Sequence, residues 1–154
     1  MAVEPGQSAP EFTLKDQAGN EVSLSDYRGK QPVVLVFYPF TFTGVCQGEL
    51  CEIRDDPSTF ENTGSVVLAL SCDTRHAQAQ WAEQQGFTFP VLSDFWPHGA
   101  VAKEYGVFNE KLGCANRATF VIDKEGKVVA RFESANLATP RARSEYEAAL
   151  ALVT

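Results

Sequence analysis

Cys46 is the residue of this chain best placed to do chemistry. It follows Pro39 and Thr43 in the spacing Pro-x-x-x-Thr-x-x-Cys, where an apolar run gives way to a helical pattern. The leading N–H groups of a helix have no intrahelical partner, and that end carries about half a positive charge, so both favour a sulfur anion. Cysteines at such sites titrate anywhere from about 3.5 to 7.5 instead of near 8.5, and the thiolate is the nucleophilic, oxidisable form. Taken singly, Pro39 reads as a strand end and Thr43 as a helix cap.

Three further cysteines, Cys51, Cys72 and Cys114, accompany it, with two histidines, His76 and His98. No C-x-x-C pair occurs and the histidines show no ligand spacing, which argues against a zinc site. The first residues, MAVEPGQSAP, carry no basic stretch followed by an apolar core, so the cysteines read as reactive or buried thiols of a cytoplasmic protein. The longest apolar run, Val33 to Phe40, is far shorter than the ~20 residues of a membrane span. A formal net charge of −7 sets the chain against nucleic acid and anionic membranes.

With 154 residues, 44% of them hydrophobic, the chain suits a single domain over 1–154. The elements that position the cysteine read as follows. Glu11 to Asp26 alternates on either side of Gly19-Asn20, a β-hairpin pattern. Pro32 to Phe40 reads as a strand buried on both faces. Gly44 to about Phe60 is helical, with Val45, Leu50, Ile53 and Phe60 as an inward stripe and Pro57 able to bend or end it. Ser65 to Ser71 is a second buried strand, Thr74 to Gln85 a helix, Phe87 to Leu92 a short strand, and Ala100 to Tyr105 a helix. Ala118 to Asp123 and Lys127 to Phe132 form a hairpin, and Pro140 to Leu152 a closing amphipathic helix with proline in its first turn. This order predicts an α/β fold with a mixed central sheet flanked by helices.

The Pro39, Thr43 and Cys46 spacing resembles the active-site loop of the peroxiredoxins, and the element order resembles the thioredoxin fold with an N-terminal β-hairpin extension that they use. The resemblance implies a thiol-dependent peroxidase acting on hydrogen peroxide, organic hydroperoxides or peroxynitrite. Cys46 would attack one peroxide oxygen and become a sulfenic acid. Thr43 would contact the sulfur and the peroxide, backbone N–H groups would aim at the oxygens, and Pro39 would shield the sulfur from water. Asn116-Arg117-Ala118-Thr119-Phe120 fits the family's active-site arginine, so Arg117 is the cation expected beside the sulfur; a surface arginine paired with an acid is the other reading, and Arg54 is the weaker candidate. Glu49, three residues after Cys46, would orient the arginine, or complement the helix dipole. No metal, flavin or haem is implied, since sulfur carries the redox change.

Longer stretches, among them Phe42 to Leu50, Gly86 to Pro90, Ser93 to Val101, Tyr105 to Glu110 and Ala115 to Arg117, resemble the alkyl hydroperoxide reductase E type. That type implies a homodimer and recycling by an outside thiol, such as thioredoxin or mycothiol with mycoredoxin. Cys51 departs from it, five residues after Cys46, the spacing of the Q-type (bacterioferritin-comigratory) peroxiredoxins that form an internal disulfide. In an intact helix that spacing leaves the Cα atoms roughly 8.7 Å apart, beyond the ~6.8 Å a disulfide accepts, so the helix start would have to unwind. An ordinary buried residue is the other reading of Cys51. Cys114, near Arg117, is a second resolving candidate, and Cys72 reads most simply as a strand-end thiol. The cluster Phe95-Trp96-Pro97-His98 suits either a dimer surface or turn packing. Two alternatives stand beside the peroxidase: a peroxide sensor and a thiol-disulfide exchange protein of thioredoxin fold, the latter disfavoured by C-x-x-x-x-C in place of C-x-x-C.

Overall fold

In a computed structural model, which describes residues 3–153, the expected hairpin is the first regular element. Strands β1 (Thr13–Lys15) and β2 (Glu21–Ser23) pair antiparallel. Asp16 shapes the turn by accepting from the amides of Ala18 and Asn20, both at 2.9 Å, the local side-chain bonding that suits aspartate to turns. Met1, Ala2 and Thr154, included in the expected domain, lie outside the described residues.

Strand β3 (Val33–Phe37) is buried at every position and leads through Tyr38 to Thr43 into helix α1 (Gly44–Asp55). There follow α2 (Ser58–Glu61), β4 (Val66–Ser71), α3 (Arg75–Gln85), β5 (Val91–Ser93) and α4 (Ala100–Glu104). A two-residue hairpin, β6 (Phe108–Asn109) with β7 (Cys114–Ala115), precedes β8 (Ala118–Ile122), β9 (Val128–Glu133) and α5 (Arg143–Leu150). The main sheet runs β2-β1-β5-β4-β3-β8-β9. Strands β3, β4 and β5 are parallel, whereas β8 runs antiparallel to both β3 and β9.

Why β3 has no polar face follows from its neighbours. Val33, Leu35 and Phe37 enter a core with Phe12, Val101, Tyr105 and Phe120, while Val34 and Val36 enter another with Leu50 of α1, Trp81 of α3 and Tyr146 of α5. A strand covered on both faces must be apolar throughout. The result is the expected α/β architecture, a thioredoxin-like mixed sheet between helices with an N-terminal hairpin added at its edge.

Four local expectations are corrected. The helix expected to reach Phe60 ends at Asp55, because Pro57 lacks an N–H and Asp56 turns away to accept from Ser58 Oγ and Thr59 Oγ1 at 2.9 and 2.7 Å. Val45 is only half-buried, and Cys46 and Glu49 occupy the inward face instead. The strand expected over 87–92 shrinks to Val91–Ser93, since the Phe87 ring packs against Trp81 and Phe89, with centroids 5.1 and 5.2 Å away. The last helix begins at Arg143, not at Pro140, because Arg141 is drawn into the interior. The β6/β7 hairpin has no counterpart among the expected elements.

Candidate active site

The register of the sheet brings the distant parts of the site together. Phe37, the last residue of β3, pairs with Ala118, the first of β8. Arg117 therefore stands beside the point where β3 gives way to the cysteine loop.

That loop is held from below. The amide of Thr41 donates to Asp73 Oδ2 at 2.9 Å, and the same oxygen accepts from Ser71 Oγ at 2.7 Å. Gln78, fully buried, donates to Ser71 Oγ and to the Leu92 carbonyl at 2.8 and 2.9 Å. The Tyr38 and Thr41 hydroxyls are 2.9 Å apart, and Tyr38 packs on Trp81 at 5.4 Å between centroids. Trp81 also donates to Gln47 Oε1 at 3.2 Å, which fixes the first turn of α1. Phe42 carries a positive φ of 67°, a costly conformation for a non-glycine residue and one that surrounding contacts must maintain.

Helix α1 begins at Gly44, so Cys46 is its third residue and its N–H has no acceptor within the helix. Thr43 occupies the cap position, yet its side chain makes no cap hydrogen bond. Its hydroxyl donates to the Phe40 carbonyl at 2.6 Å rather than to the sulfur. The proton of Thr43 is thus committed and its lone pairs remain available as acceptors. Pro39 is buried beside Tyr38, while Phe40, Phe42 and Thr43 form an exposed lip.

Cys46 is fully buried, and Arg117 Nη2 donates to its sulfur at 3.0 Å. Arg117 Nη1 donates to Glu49 Oε1 at 2.7 Å and its Nε to the Leu137 carbonyl at 2.6 Å, so three of its donors are fixed. Arg54, the weaker candidate, turns away and bonds Asp55 and the Gln85 carbonyl.

Glu49 sits between two guanidinium groups, one of which sequence reasoning missed. Arg141 donates to Glu49 Oε2 through its amide and Nε at 2.6 and 2.9 Å, and to Oε1 through Nη2 at 2.8 Å. Its Nη1 reaches the carbonyls of Phe37 and Ala118 at 2.7 and 2.9 Å. Burial alone would raise the Glu49 pKa; the hydrogen bonds and charge of Arg141, then the charge of Arg117, pull it below its ordinary value. Two cations thus face one buried carboxylate, and one of them, Arg117, also reaches the Cys46 sulfur. The one sequence signal for Arg141 is a proline before it and two small or basic residues after it, which reads equally as a helix start.

The other cysteines lie apart from this ion cluster. Cys51 is half-buried and donates to Gln85 Oε1 at 3.6 Å, with α1 continuous around it. Cys72 and Cys114 are buried, and burial is the main cause that pushes their thiols up to about 12 and about 11. His98 faces the carbonyls of Phe95 and Gly113 with its two ring nitrogens, and Trp96 is exposed. The site as a whole offers a nucleophilic sulfur, a fixed cation, a free helix amide and a hydroxyl acceptor. That set suits attack of sulfur on an oxygen whose leaving group gains negative charge.

Comparison with known proteins agrees with this chemistry. A family model described as AhpC/TSA family matches residues 5–131. The chain is 56% identical over 121 residues to alkyl hydroperoxide reductase E of Mycobacterium tuberculosis, covering 79% of each. It is 39% identical over 127 residues to chloroplastic peroxiredoxin Q of Sedum lineare, covering 82% of this chain and 67% of that one. The solved structure of peroxidoxin BcpB from Mycobacterium tuberculosis superposes with a TM-score of 0.86 at 33% identity, covering 99% of both chains.

Proposed function

This chain belongs to the AhpC/TSA family and is a thiol-dependent peroxidase, and we propose that Cys46 is its peroxidatic residue, with Arg117, Thr43, Pro39 and Glu49 completing the site. The observation that carries this reading is the Arg117 guanidinium on the Cys46 sulfur at the start of α1.

The sulfur, as thiolate, attacks the terminal oxygen of the peroxide. The O–O bond breaks, the sulfur keeps the OH as sulfenic acid, and the leaving oxygen departs as alkoxide or hydroxide to be protonated to alcohol or water. The peroxide enters past the lip of Phe40, Phe42 and Thr43. Its hydroxyl donates to the Thr43 lone pairs, and the Cys46 N–H and Arg117 face the oxygens where charge develops. Donors already held in place need no rearrangement during reaction. Pro39 keeps water from the sulfur, which strengthens each of these contacts. Glu49 and Arg141 fix the guanidinium at its working angle.

Hydrogen peroxide, organic hydroperoxides and peroxynitrite all fit a site with so few contacts beyond the O–O group. The sulfenic acid returns to thiol through Cys51, through Cys114 or through an outside thiol, thioredoxin or mycoredoxin with mycothiol. The continuous α1 around Cys51 means that the first of these routes requires the helix to open. The working form is a cytoplasmic homodimer; the exposed Phe95 and Trp96 are the surface that supports an interface. No helix among the described residues is long and apolar enough to cross a membrane.

Replacing Cys46 with Ser tests the reading. Peroxide consumption in the presence of dithiothreitol falls to the level of buffer, and a variant that still consumes peroxide at the original rate contradicts it.

A further inference from the structure

The Thr43 hydroxyl takes its orientation from one peptide unit. It donates to the Phe40 carbonyl at 2.6 Å, folded back over three residues by the left-handed turn at Phe42, whose φ is 67°. The N–H of the same unit belongs to Thr41, and it donates to Asp73 Oδ2 at 2.9 Å. A peptide unit is planar and this one is trans, so its oxygen and its N–H turn together. The oxygen keeps its place on Thr43 only while the N–H keeps its place on Asp73.

Asp73 is itself fixed from both ends. Ser71 Oγ donates to the same carboxylate oxygen at 2.7 Å, and Gln78 Nε2 donates to that hydroxyl at 2.8 Å. Ser93 Oγ donates to the Asp73 carbonyl at 2.6 Å. Gln78 is fully buried, and its Oε1 has no hydrogen-bond partner among the described residues. A buried oxygen without a partner is unfavourable, as is a positive φ at a phenylalanine. Both fall on the chain of bonds that ends at Thr43, and such local costs persist where geometry serves function.

We propose that Asp73 is a positioning residue for peroxide reduction, orienting the Thr43 hydroxyl through the Phe40–Thr41 peptide unit. The inference rests on the reading of Cys46 as the peroxidatic residue and of Thr43 as the group that accepts from the peroxide.

A carboxylate on the N–H side polarises the peptide unit and strengthens its carbonyl as an acceptor. The Thr43 proton is drawn to the Phe40 oxygen, and the hydroxyl lone pairs are left for the O–H of the peroxide. No proton passes to Asp73. The carboxylate sets an orientation before the peroxide arrives, and a group already in place lowers a barrier without rearranging during the reaction.

The rest of the site is held by other bonds. The Tyr38 amide donates to the Leu70 carbonyl at 2.9 Å, Arg117 holds the Cys46 sulfur, and Trp81 holds Gln47 in the first turn of α1. Loss of the Asp73 carboxylate should therefore act on the reaction through Thr43.

The test is a double-variant cycle on the full chain, read as the second-order rate of hydrogen peroxide reduction by stopped flow, with the unfolding midpoint of each protein taken alongside. Asp73→Ala should slow the reaction about tenfold, within the range that coupled neighbours show. Asp73→Asn, whose side-chain oxygen can still accept from Thr41 and Ser71, should recover most of the rate. In a Thr43→Val background Asp73→Ala should change the rate less than about twofold, because the hydroxyl it orients is gone. Alkylation of Cys46 by iodoacetamide, which needs the sulfur but no bond from Thr43, should not slow in Asp73→Ala. Should Asp73→Ala not fold, Asp73→Ser, too short to reach the Thr41 amide, takes its place in the cycle. An unchanged rate in Asp73→Ala, no recovery in Asp73→Asn, or an equal loss with and without the Thr43 hydroxyl overturns the role of Asp73 while the peroxidase reading stands. Prompt peroxide consumption by Cys46→Ser overturns instead the reading of Cys46 on which the proposal rests.

Discussion

Arg117 Nη2 lies 3.0 Å from Cys46 Sγ although 71 positions separate them in the chain. The contact follows from the pairing of β3 with β8 in the register Phe37 to Ala118, which sets the residue before β8 against the loop after β3. Sheet register, and not local sequence, thus brings the cation to the sulfur, and Glu49 with Arg141 keeps it there. The grip is tight, since Arg117 has fixed partners at Nη1, Nη2 and Nε.

Arg117→Lys preserves the charge but cannot hold the sulfur, Glu49 and the Leu137 carbonyl with one fork. Peroxide consumption at neutral pH should fall by about 10²- to 10³-fold, the scale of one lost preorganised donor. Stopped-flow peroxide kinetics measures it, with the unfolding midpoint taken on the same sample. A folded variant with an unchanged rate contradicts a role for the fork.

Glu49→Gln changes stability in a pH-dependent way. A carboxyl held below its ordinary value near 4.5 contributes stability that is complete above that value and lost as the pH falls through the folded one. The unaltered chain should therefore lose stability on acidification below about pH 4.5, and the variant should show a flatter acid limb. The variant also starts lower, by about 3–5 kcal/mol, because two buried guanidinium groups lose their counter-charge. Urea unfolding at a series of pH values reads both effects, and parallel curves contradict the linkage.

Thr43→Val removes the acceptor that faces the peroxide hydroxyl. Loss of a hydrogen bond within a charged site, about 1.5–3 kcal/mol, corresponds to a rate lowered about 10- to 150-fold. Thr43→Ser should restore most of it. The Thr43 side chain makes no cap hydrogen bond but donates to the Phe40 carbonyl, so the valine variant should also lose about 0.5–1.5 kcal/mol of stability, which Thr43→Ser should retain. A valine variant as fast as the original would exclude the hydroxyl from the reaction.

The parts of this molecule that announced themselves in the sequence are those whose physics is local or fixed by a motif. Val33 to Phe37 reads as a buried strand because both its faces must be apolar. Thr74 to Gln85 reads as a helix, and the helix forms from Arg75 with Thr74 as its cap, accepting from the Ala77 amide. Cys46 was legible from its place at a helix start, and Arg117 only from the resemblance of Asn116 to Phe120 to the family's arginine motif. Arg141 was not, because its partner Glu49 lies 92 positions away and nothing nearby distinguishes a buried arginine from one in a helix's first turn. The rings of Phe87 and Phe89 misled for the same reason, since their alternation fits a strand while the pull of Trp81 is tertiary.

The most direct measurement is the rate at which each cysteine reacts with hydrogen peroxide. Reduced protein is exposed to a substoichiometric dose for a series of short times with a sulfenic-acid trap present, and the four sites are quantified separately by mass spectrometry. Cys46 should be the first to oxidise, well ahead of Cys51, Cys72 and Cys114, with the trap on Cys46 at the earliest times. Slow and equal oxidation of all four cysteines would contradict an activated Cys46 and remove the basis for assigning the peroxidase chemistry to this site.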